Sequence, residues 1–207
     1  MADLRPRIPG PSSFVKYVSD SRTFIGIVVV LFLVSTAAGY ALPGTAPYMA
    51  QSLLSGLQDK ASQLTGQPPL IMVLGIFANN TAGALVDMIF GLAAGVFPLF
   101  FIVSNGMVIG IVLEMMVAKL GAGMGVLVFI AGILPHGIFE LPAIILATAI
   151  GLKLGFHAIQ SLLKMQDLVT GELVNALLIF LFWIVPMLFI AAVIETFVTG
   201  ALVGYMV

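Results

Sequence analysis

Cysteine is absent from this chain of 207 residues, and histidine occurs only twice. The missing thiols exclude disulfide bonds, thiolate catalysis and lipid attachment through cysteine. Without cysteine, and with so few histidines, a structural zinc site is not expected either. The sequence therefore predicts a protein that holds no metal and no cofactor.

Charged residues are also scarce, because they make up 8% of the chain, whereas a soluble domain usually carries about 25%. Hydrophobic residues make up 61%, and the mean hydropathy is +1.20. These values exclude an ordinary soluble domain and predict an integral membrane protein with the lipid bilayer as its main partner. The net charge of −1 gives no electrostatic reason to expect a nucleic acid partner.

Long apolar runs predict an all-α fold, a polytopic membrane helix bundle, because each crossing of the bilayer takes about 20 residues. We expect an N-terminal arm with an interfacial helix at 1–22, followed by a single transmembrane domain at 23–207. An external amphipathic helix is expected within 43–67, where one face is apolar and the rest is polar. The expected spans are residues 23–42, 69–90, 95–118, 126–155 and 172–195.

The fourth of these runs is too long for one crossing, since a helix over 122–155 would measure roughly 50 Å. The sequence predicts either a re-entrant or proline-broken half-helix that ends at Pro135, or two short crossings. Five crossings place Lys153 and Lys164 in the cytoplasm and six place them outside, so the positive-inside rule favours five. The basic residues before the first span also place the N-terminus in the cytoplasm, in a multi-pass protein of the cell membrane.

Two ionisable residues, His136 and Glu140, stand four positions apart on one helix face inside this apolar run. Ionisable groups at membrane depth are costly, so they mark either a working site or a polar clasp that holds helices together. Both interpretations remain open at the level of the sequence. The helix break around them is expected at Pro135, Gly137 and Pro142. Further candidates for an intramembrane polar site are Asn79, Asn80, Asp87, Asn105, Glu114 and Glu195.

Small residues recur every fourth position on two of the spans, which lets helix backbones approach closely. Because these stripes exceed what five helices need for their own packing, they also predict a homo-oligomer. The residues assigned to helix packing are Gly106, Gly110, Ala143, Ala147, Gly151 and Gly155.

Five segments of the chain carry a resemblance to a known family. They are Phe77–Asn80, Ser104–Gly106 with Gly110, Leu134–Ala143, Gly151–Gly155 and Ile194–Thr199. Through them, and over nearly all of the chain after about residue 20, the sequence resembles the stage II sporulation protein M family of multi-spanning membrane proteins. The pattern Pro-His-Gly-x-x-Glu-x-Pro is its specific part, whereas segment 43–67 and the N-terminal arm lie outside the motif. The resemblance implies an assembly factor that, in endospore formers, anchors peptidoglycan-remodelling enzymes at the engulfing membrane.

We therefore expect a scaffold or assembly factor that organises membrane or envelope protein partners. No catalytic residues are expected, since the chain has neither a His-Glu-x-x-His nor a Walker sequence. The alternative is a transporter or channel for an ion, proton or lipid, which would use the broken helix at Pro135 with His136 and Glu140. An enzyme that uses this pair for acid–base chemistry is disfavoured, because no nucleophile or metal set accompanies it.

Overall fold

The computed structural model describes residues 9–64 and 66–206, in which every regular element is a helix. The first eight residues of the predicted N-terminal arm, together with Thr65 and Val207, lie outside the described residues. Five helices are long and apolar enough to cross a membrane, which confirms the predicted all-α polytopic bundle. The elements are α1 (Pro11–Asp20), α2 (Arg22–Thr45), α3 (Pro47–Leu64), α4 (Pro69–Phe90), α5 (Val96–Leu120), α6 (Ala122–Lys164), α7 (Val169–Ile179), α8 (Val185–Ile194) and α9 (Gly200–Met206).

The membrane helices alternate in direction. Short turns join α4, α5, α6 and α7 in order, and the 18-residue helix α3 joins α2 to α4. Helix α2 runs from the end of the bundle that carries α1 to the end that carries α3, and α4, α5 and α6 follow in alternating directions. We refer to these as the α1 end and the α3 end. Their cytoplasmic and outer assignments remain the prediction made from the lysine positions.

Helix α6 is continuous over 43 residues and contains both Pro135 and Pro142. The expected break at Pro135, Gly137 and Pro142 is therefore wrong, and no half-helix ends there. Proline interrupts a helix less sharply inside a membrane bundle, since neighbouring helices can satisfy the backbone groups that it leaves without a partner. At about 1.5 Å per residue, α6 is roughly 65 Å long and extends beyond a hydrocarbon core of about 30 Å.

The second half of α6 forms the centre of the bundle. From Ala143 to Gly155 nearly every side chain is buried or partly buried. One side of this segment packs against α4, α7 and α8, and another side packs against α2 and α5. Side chains near the middle of α6 therefore lie between the other membrane helices.

The last membrane helix is a composite of α7, α8 and α9, which are joined by two π turns at Phe180–Ile184 and Glu195–Thr199. In each turn a backbone N–H donates to the carbonyl five residues earlier, from Val185 to Phe180 and from Gly200 to Glu195. The first turn precedes Pro186, whose ring and missing N–H oppose a regular α-helical turn. The composite helix extends beyond the predicted span of 172–195 at both ends.

Helix α3 is amphipathic, as its sequence predicts, and it packs back onto the bundle. Its apolar face buries Ala50 and Leu54 against Ile111 of α5. A neighbouring face carries an exposed polar stripe, which consists of Gln51, Ser55, Gln58 and Ser62. These positions follow the helical spacing of three and four residues, so one face packs and the other faces away.

The N-terminal helix α1 is held to the bundle by a group of three residues, which we call the α1 clamp: Tyr17, Lys153 and Glu172. The Tyr17 hydroxyl donates to Glu172 Oε1 at 2.6 Å, and Lys153 Nζ pairs with the same oxygen at 2.9 Å. Lys153 Nζ also lies 4.6 Å from the centroid of the Tyr17 ring. Burial, together with the neighbouring Glu172 carboxylate, raises the pKa of the Tyr17 phenol. The phenol therefore stays protonated and keeps donating to Glu172.

Candidate functional site

The polar residues of α6 face a cavity in the bundle. This larger cavity has a volume of about 650 Å³ and lies between α4, α5, α6 and the composite helix. The C-terminal end of α3 contributes Gln63 and Leu64 to its wall. Six of the candidate polar residues line it, namely Asn79, Asn80, Asn105, His136, Glu140 and Glu195.

A chain of hydrogen bonds joins α4 to α6 across this cavity. Asn79 Nδ2 donates to Asn80 Oδ1 at 3.1 Å, and Asn80 Nδ2 donates to Glu140 Oε1 at 3.0 Å. Asn105 instead donates to the Phe101 carbonyl on its own helix. The Asn80 amide therefore fixes one oxygen of the Glu140 carboxylate and leaves the other oxygen available.

His136 and Glu140 do not form the hydrogen-bonded clasp that their spacing suggested. The closest approach, from His136 Nε2 to Glu140 Oε2, is 3.9 Å, which exceeds hydrogen-bond length. The other ring nitrogen, Nδ1, lies 3.1 Å from the Thr199 hydroxyl of the composite helix. Each of the two side chains is thus held by a partner on a different helix.

Glu195 and Thr199 reach this site from the second π turn of the composite helix. His136, Glu140 and Glu195 each offer one ligand atom, and these three atoms lie within 4.8 Å of one another. A π turn changes the direction in which successive side chains point, and such turns are common at functional sites. Here the π turn brings the Glu195 carboxylate and the Thr199 hydroxyl to His136.

A smaller cavity, of about 430 Å³, adjoins the first one. Along α4 the wall passes from Gly75 in the larger cavity to Val86 in the smaller one, and along α5 it passes from Met116 to Phe97. The two cavities therefore lie at different depths, the larger toward the α3 end and the smaller toward the α1 end. They share the wall residues Asn79, Asn80, Asn105, Glu140 and Ile144.

Two of the candidate residues, Asp87 and Glu114, are not among the described wall residues of either cavity. Asp87 is completely buried between α4 and α6, where Oδ2 accepts a hydrogen bond of 2.6 Å from Thr148. Glu114 lies half-buried on α5. The structure thus separates these two carboxyl groups from the site that contains Glu140 and Glu195.

The small residues of the two stripes lie at helix contacts within this one chain. A side chain at Gly106 or Gly110 would meet α2, and one at Gly151 or Gly155 would meet the end of α4 and the start of α5. Ala143 and Ala147 are completely buried. Because both stripes pack inside the chain, they give no surplus surface that argues for a homo-oligomer, which stays a prediction.

Several residues that shape these contacts escaped the sequence analysis. Thr148 and Thr199 hydrogen-bond to candidate residues, but threonine occurs often in membrane helices and carries no signal on its own. The α1 clamp had a weak signal, because Lys153 and Glu172 are charges beside apolar segments. Their pairing joins positions far apart in the chain, so spacing could not reveal it.

Comparisons with known proteins place the chain in a family. Searches of curated proteins and of solved structures give no significant match. A family model described as Stage II sporulation protein M matches residues 28–200. This range includes α4, α5 and α6, most of α2 and of the composite helix, and every candidate residue. The chain therefore belongs to the stage II sporulation protein M family, as a member with several membrane-spanning helices.

Proposed function

We propose that this protein moves a small cation across the membrane along the two cavities. The observation that carries the proposal is that the cavities lie at different depths and share one polar wall at Asn80 and Glu140. Intramembrane ionisable residues that face a cavity commonly mark ion or proton pathways. A cation that enters from either end would meet the Glu140 carboxylate at the boundary between the cavities.

The charge of the cavity walls selects for cations. Glu140 and Glu195 supply carboxylates and the three asparagines supply amide oxygens, while no lysine or arginine occurs among the described wall residues. A carboxylate in an apolar surrounding attracts a cation more strongly than it does in water, since the effective dielectric constant is lower. The same field repels anions from the boundary between the cavities.

The hydrogen bond from Asn80 to Glu140 lies where the cavities share their wall, and in this proposal it closes the boundary between them. Passage then requires this bond to open, so that the carboxylate can turn from one cavity to the other. Opening costs little where the incoming cation replaces the amide as the partner of Glu140, because hydrogen bonds between membrane helices contribute only about 0.6 kcal/mol on average. In this mechanism Glu140 stays in place and exchanges the Asn80 amide for the cation.

Glu140→Gln is expected to reduce cation flux at least tenfold in vesicles that contain the purified protein. The substitution keeps the shape of the side chain and removes the charge that attracts the cation. Flux is measured with fluorescent indicators for protons, sodium and divalent cations under imposed gradients. The matched control is Glu114→Gln on α5, which should retain the flux of the unchanged protein.

Two results would contradict the proposal. One is flux no greater than that of empty vesicles under every gradient tested. The other is an equal loss in the Glu140 and Glu114 variants, since Glu114 is absent from the described walls of both cavities. Size-exclusion profiles of both variants show whether they are folded.

A scaffold for an envelope protein is a second candidate, favoured by the exposed polar stripe on α3. The stripe is held in place by the buried contacts of Ala50 and Leu54, so it offers an ordered surface outside the apolar core. If a protein partner docks here, Gln51→Ala with Gln58→Ala should remove it during affinity purification. The control Lys164→Ala lies at the C-terminal end of α6, far from α3, and should retain the partner. If the α3 variant retains the partner as well, this surface is excluded as the docking site.

A further inference from the structure

The geometry points to a binding site for a first-row divalent metal cation, such as Zn²⁺, Mn²⁺ or Fe²⁺, at His136, Glu140 and Glu195. One ligand atom from each residue lies within 4.8 Å of the others, and all three residues line the larger cavity. The cavity leaves room for water or for an exchanging ligand at the remaining coordination positions. The site would lie where we propose that cations pass, so the inference names the substrate class for that proposed function.

The hydrogen bonds around the site leave the ligand atoms free. Thr199 lies beside His136 Nδ1, so the opposite nitrogen, Nε2, is directed at the carboxylate. Asn80 occupies Glu140 Oε1, so Oε2 is directed at the histidine. Metal-binding histidines usually have their other ring nitrogen held by a hydrogen-bond partner, which fixes the ring and its tautomer. Thr199 and Asn80 are placed to do this for the two ligands.

The distance between these two free atoms fits a shared cation better than it fits direct contact. At 3.9 Å, His136 Nε2 and Glu140 Oε2 are too far apart for a hydrogen bond. Ligand atoms at about 2.0–2.1 Å from a tetrahedral metal are roughly 3.3 Å apart, a separation that small side-chain rotations would reach. The pair is therefore close to the spacing that one bound cation requires.

The composition of the ligand set selects the class of metal. Two carboxylates and a neutral imidazole carry a total charge of −2, which a divalent cation neutralises inside the apolar bundle. The imidazole suits zinc and iron, and the carboxylates also suit manganese, whereas calcium and magnesium prefer oxygen ligands alone. The absence of cysteine removes the thiolates that favour Cu⁺.

Binding of Co²⁺ to the purified full-length protein in detergent, after treatment with a chelator, tests this inference. The visible absorption of Co²⁺ reports its coordination geometry, and Zn²⁺ should displace it. We expect one equivalent to bind, with affinity at least tenfold weaker in His136→Ala and in Glu195→Gln. Thr199→Val, which removes only the partner of the imidazole, should weaken binding about tenfold or more.

Controls and outcomes separate this inference from the proposal of transport. Glu114→Gln and His157→Gln should bind Co²⁺ like the unchanged protein. Absence of Co²⁺ and Zn²⁺ binding overturns the metal site, and so does an affinity in the Glu195→Gln and Thr199→Val variants that equals that of the unchanged protein. Proton or sodium flux that depends on Glu140 but occurs without metal binding leaves transport standing and refutes the metal. Metal binding without any flux supports the metal site and refutes transport.

Discussion

Replacement of Gly110 by leucine is expected to destabilise the bundle strongly. A Cβ atom at this position would meet the Thr36 carbonyl oxygen, and it would lie 2.6 Å from Tyr40 N and 2.9 Å from Gly39 C. These are backbone atoms of α2, which cannot move aside as a flexible side chain can. The two helices would have to separate along their whole contact.

The expected loss of stability is large for a single substitution. Overpacking of a core typically costs about 1–3 kcal/mol, and a clash with backbone lies at or beyond the upper end of this range. Most domains are stable by only about 5–15 kcal/mol. We therefore expect Gly110→Leu to give little monodisperse protein after detergent extraction, measured by size-exclusion chromatography and thermal unfolding.

Gly26→Leu is the matched control, because Gly26 lies on α2 and nothing is within 4 Å of a Cβ added there. It introduces the same side chain and the same hydropathy on one of the same two helices. The yield and melting temperature should stay close to those of the unchanged protein. Equal yields and melting temperatures for the Gly26 and Gly110 variants would show that α2 and α5 do not approach as closely as described.

The spans could be predicted from the sequence because the bilayer imposes strict demands on composition and length. An apolar run of about 20 residues has few alternatives to a membrane helix. For this reason α2, α4 and α5 begin and end within a few residues of their expected bounds. The amphipathic pattern of α3 was also readable, although its contact with Ile111 of α5 was not.

The course of α6 could not be predicted, because length and proline arguments point the wrong way. A helix of 43 residues exceeds one crossing, and two prolines suggested where it would break. The proline argument fails because a proline does not end a membrane helix when other groups bond to the carbonyls that it leaves without a partner. The length argument fails because a helix can extend beyond the bilayer. Local sequence does not encode either circumstance.

The sequence predicted most residues of the candidate site, but it did not predict how they come together. His136 and Glu140 are four residues apart on one helix, and any two residues at this interval share a face. Glu195 was also named as a candidate from the sequence, whereas Thr199 was not. Both reach the histidine through a π turn, whose presence has no reliable sequence signal. Asp87 was another candidate, and it accepts a hydrogen bond from Thr148 rather than lining the described walls of the cavities.

Removal of the carboxylate in Glu172→Ala is expected to destabilise the protein by about 3 kcal/mol or more. Lys153 is only 8% exposed, and Glu172 is its partner at 2.9 Å. Loss of one member of a buried ion pair leaves the other charge without compensation, which costs more than the pair itself contributes. The Tyr17 hydroxyl would lose its acceptor in the same step.

The damage should appear first as release of α1, and the chain carries a probe for it. Trp183 is the only tryptophan; its ring stacks on Phe14 of α1, and its indole N–H donates to the Pro9 carbonyl. In Glu172→Ala the Trp183 emission should therefore change at a lower temperature than the loss of helical circular dichroism. Asp20→Ala, which removes an exposed carboxylate from α1 itself, should leave both transitions in place.

The double variant Lys153→Met with Glu172→Leu distinguishes a cost of unpaired charge from a loss of packing. Replacement of a whole buried ion pair by apolar side chains of similar size is often neutral or stabilising. We expect the double variant to recover most of the stability that Glu172→Ala loses. The Tyr17 ring would keep its packing against the core, while its hydroxyl would have no acceptor. Failure to recover would mean that the carboxylate holds α1 chiefly through the Tyr17 hydrogen bond, and Tyr17→Phe would then be as destabilising as Glu172→Ala.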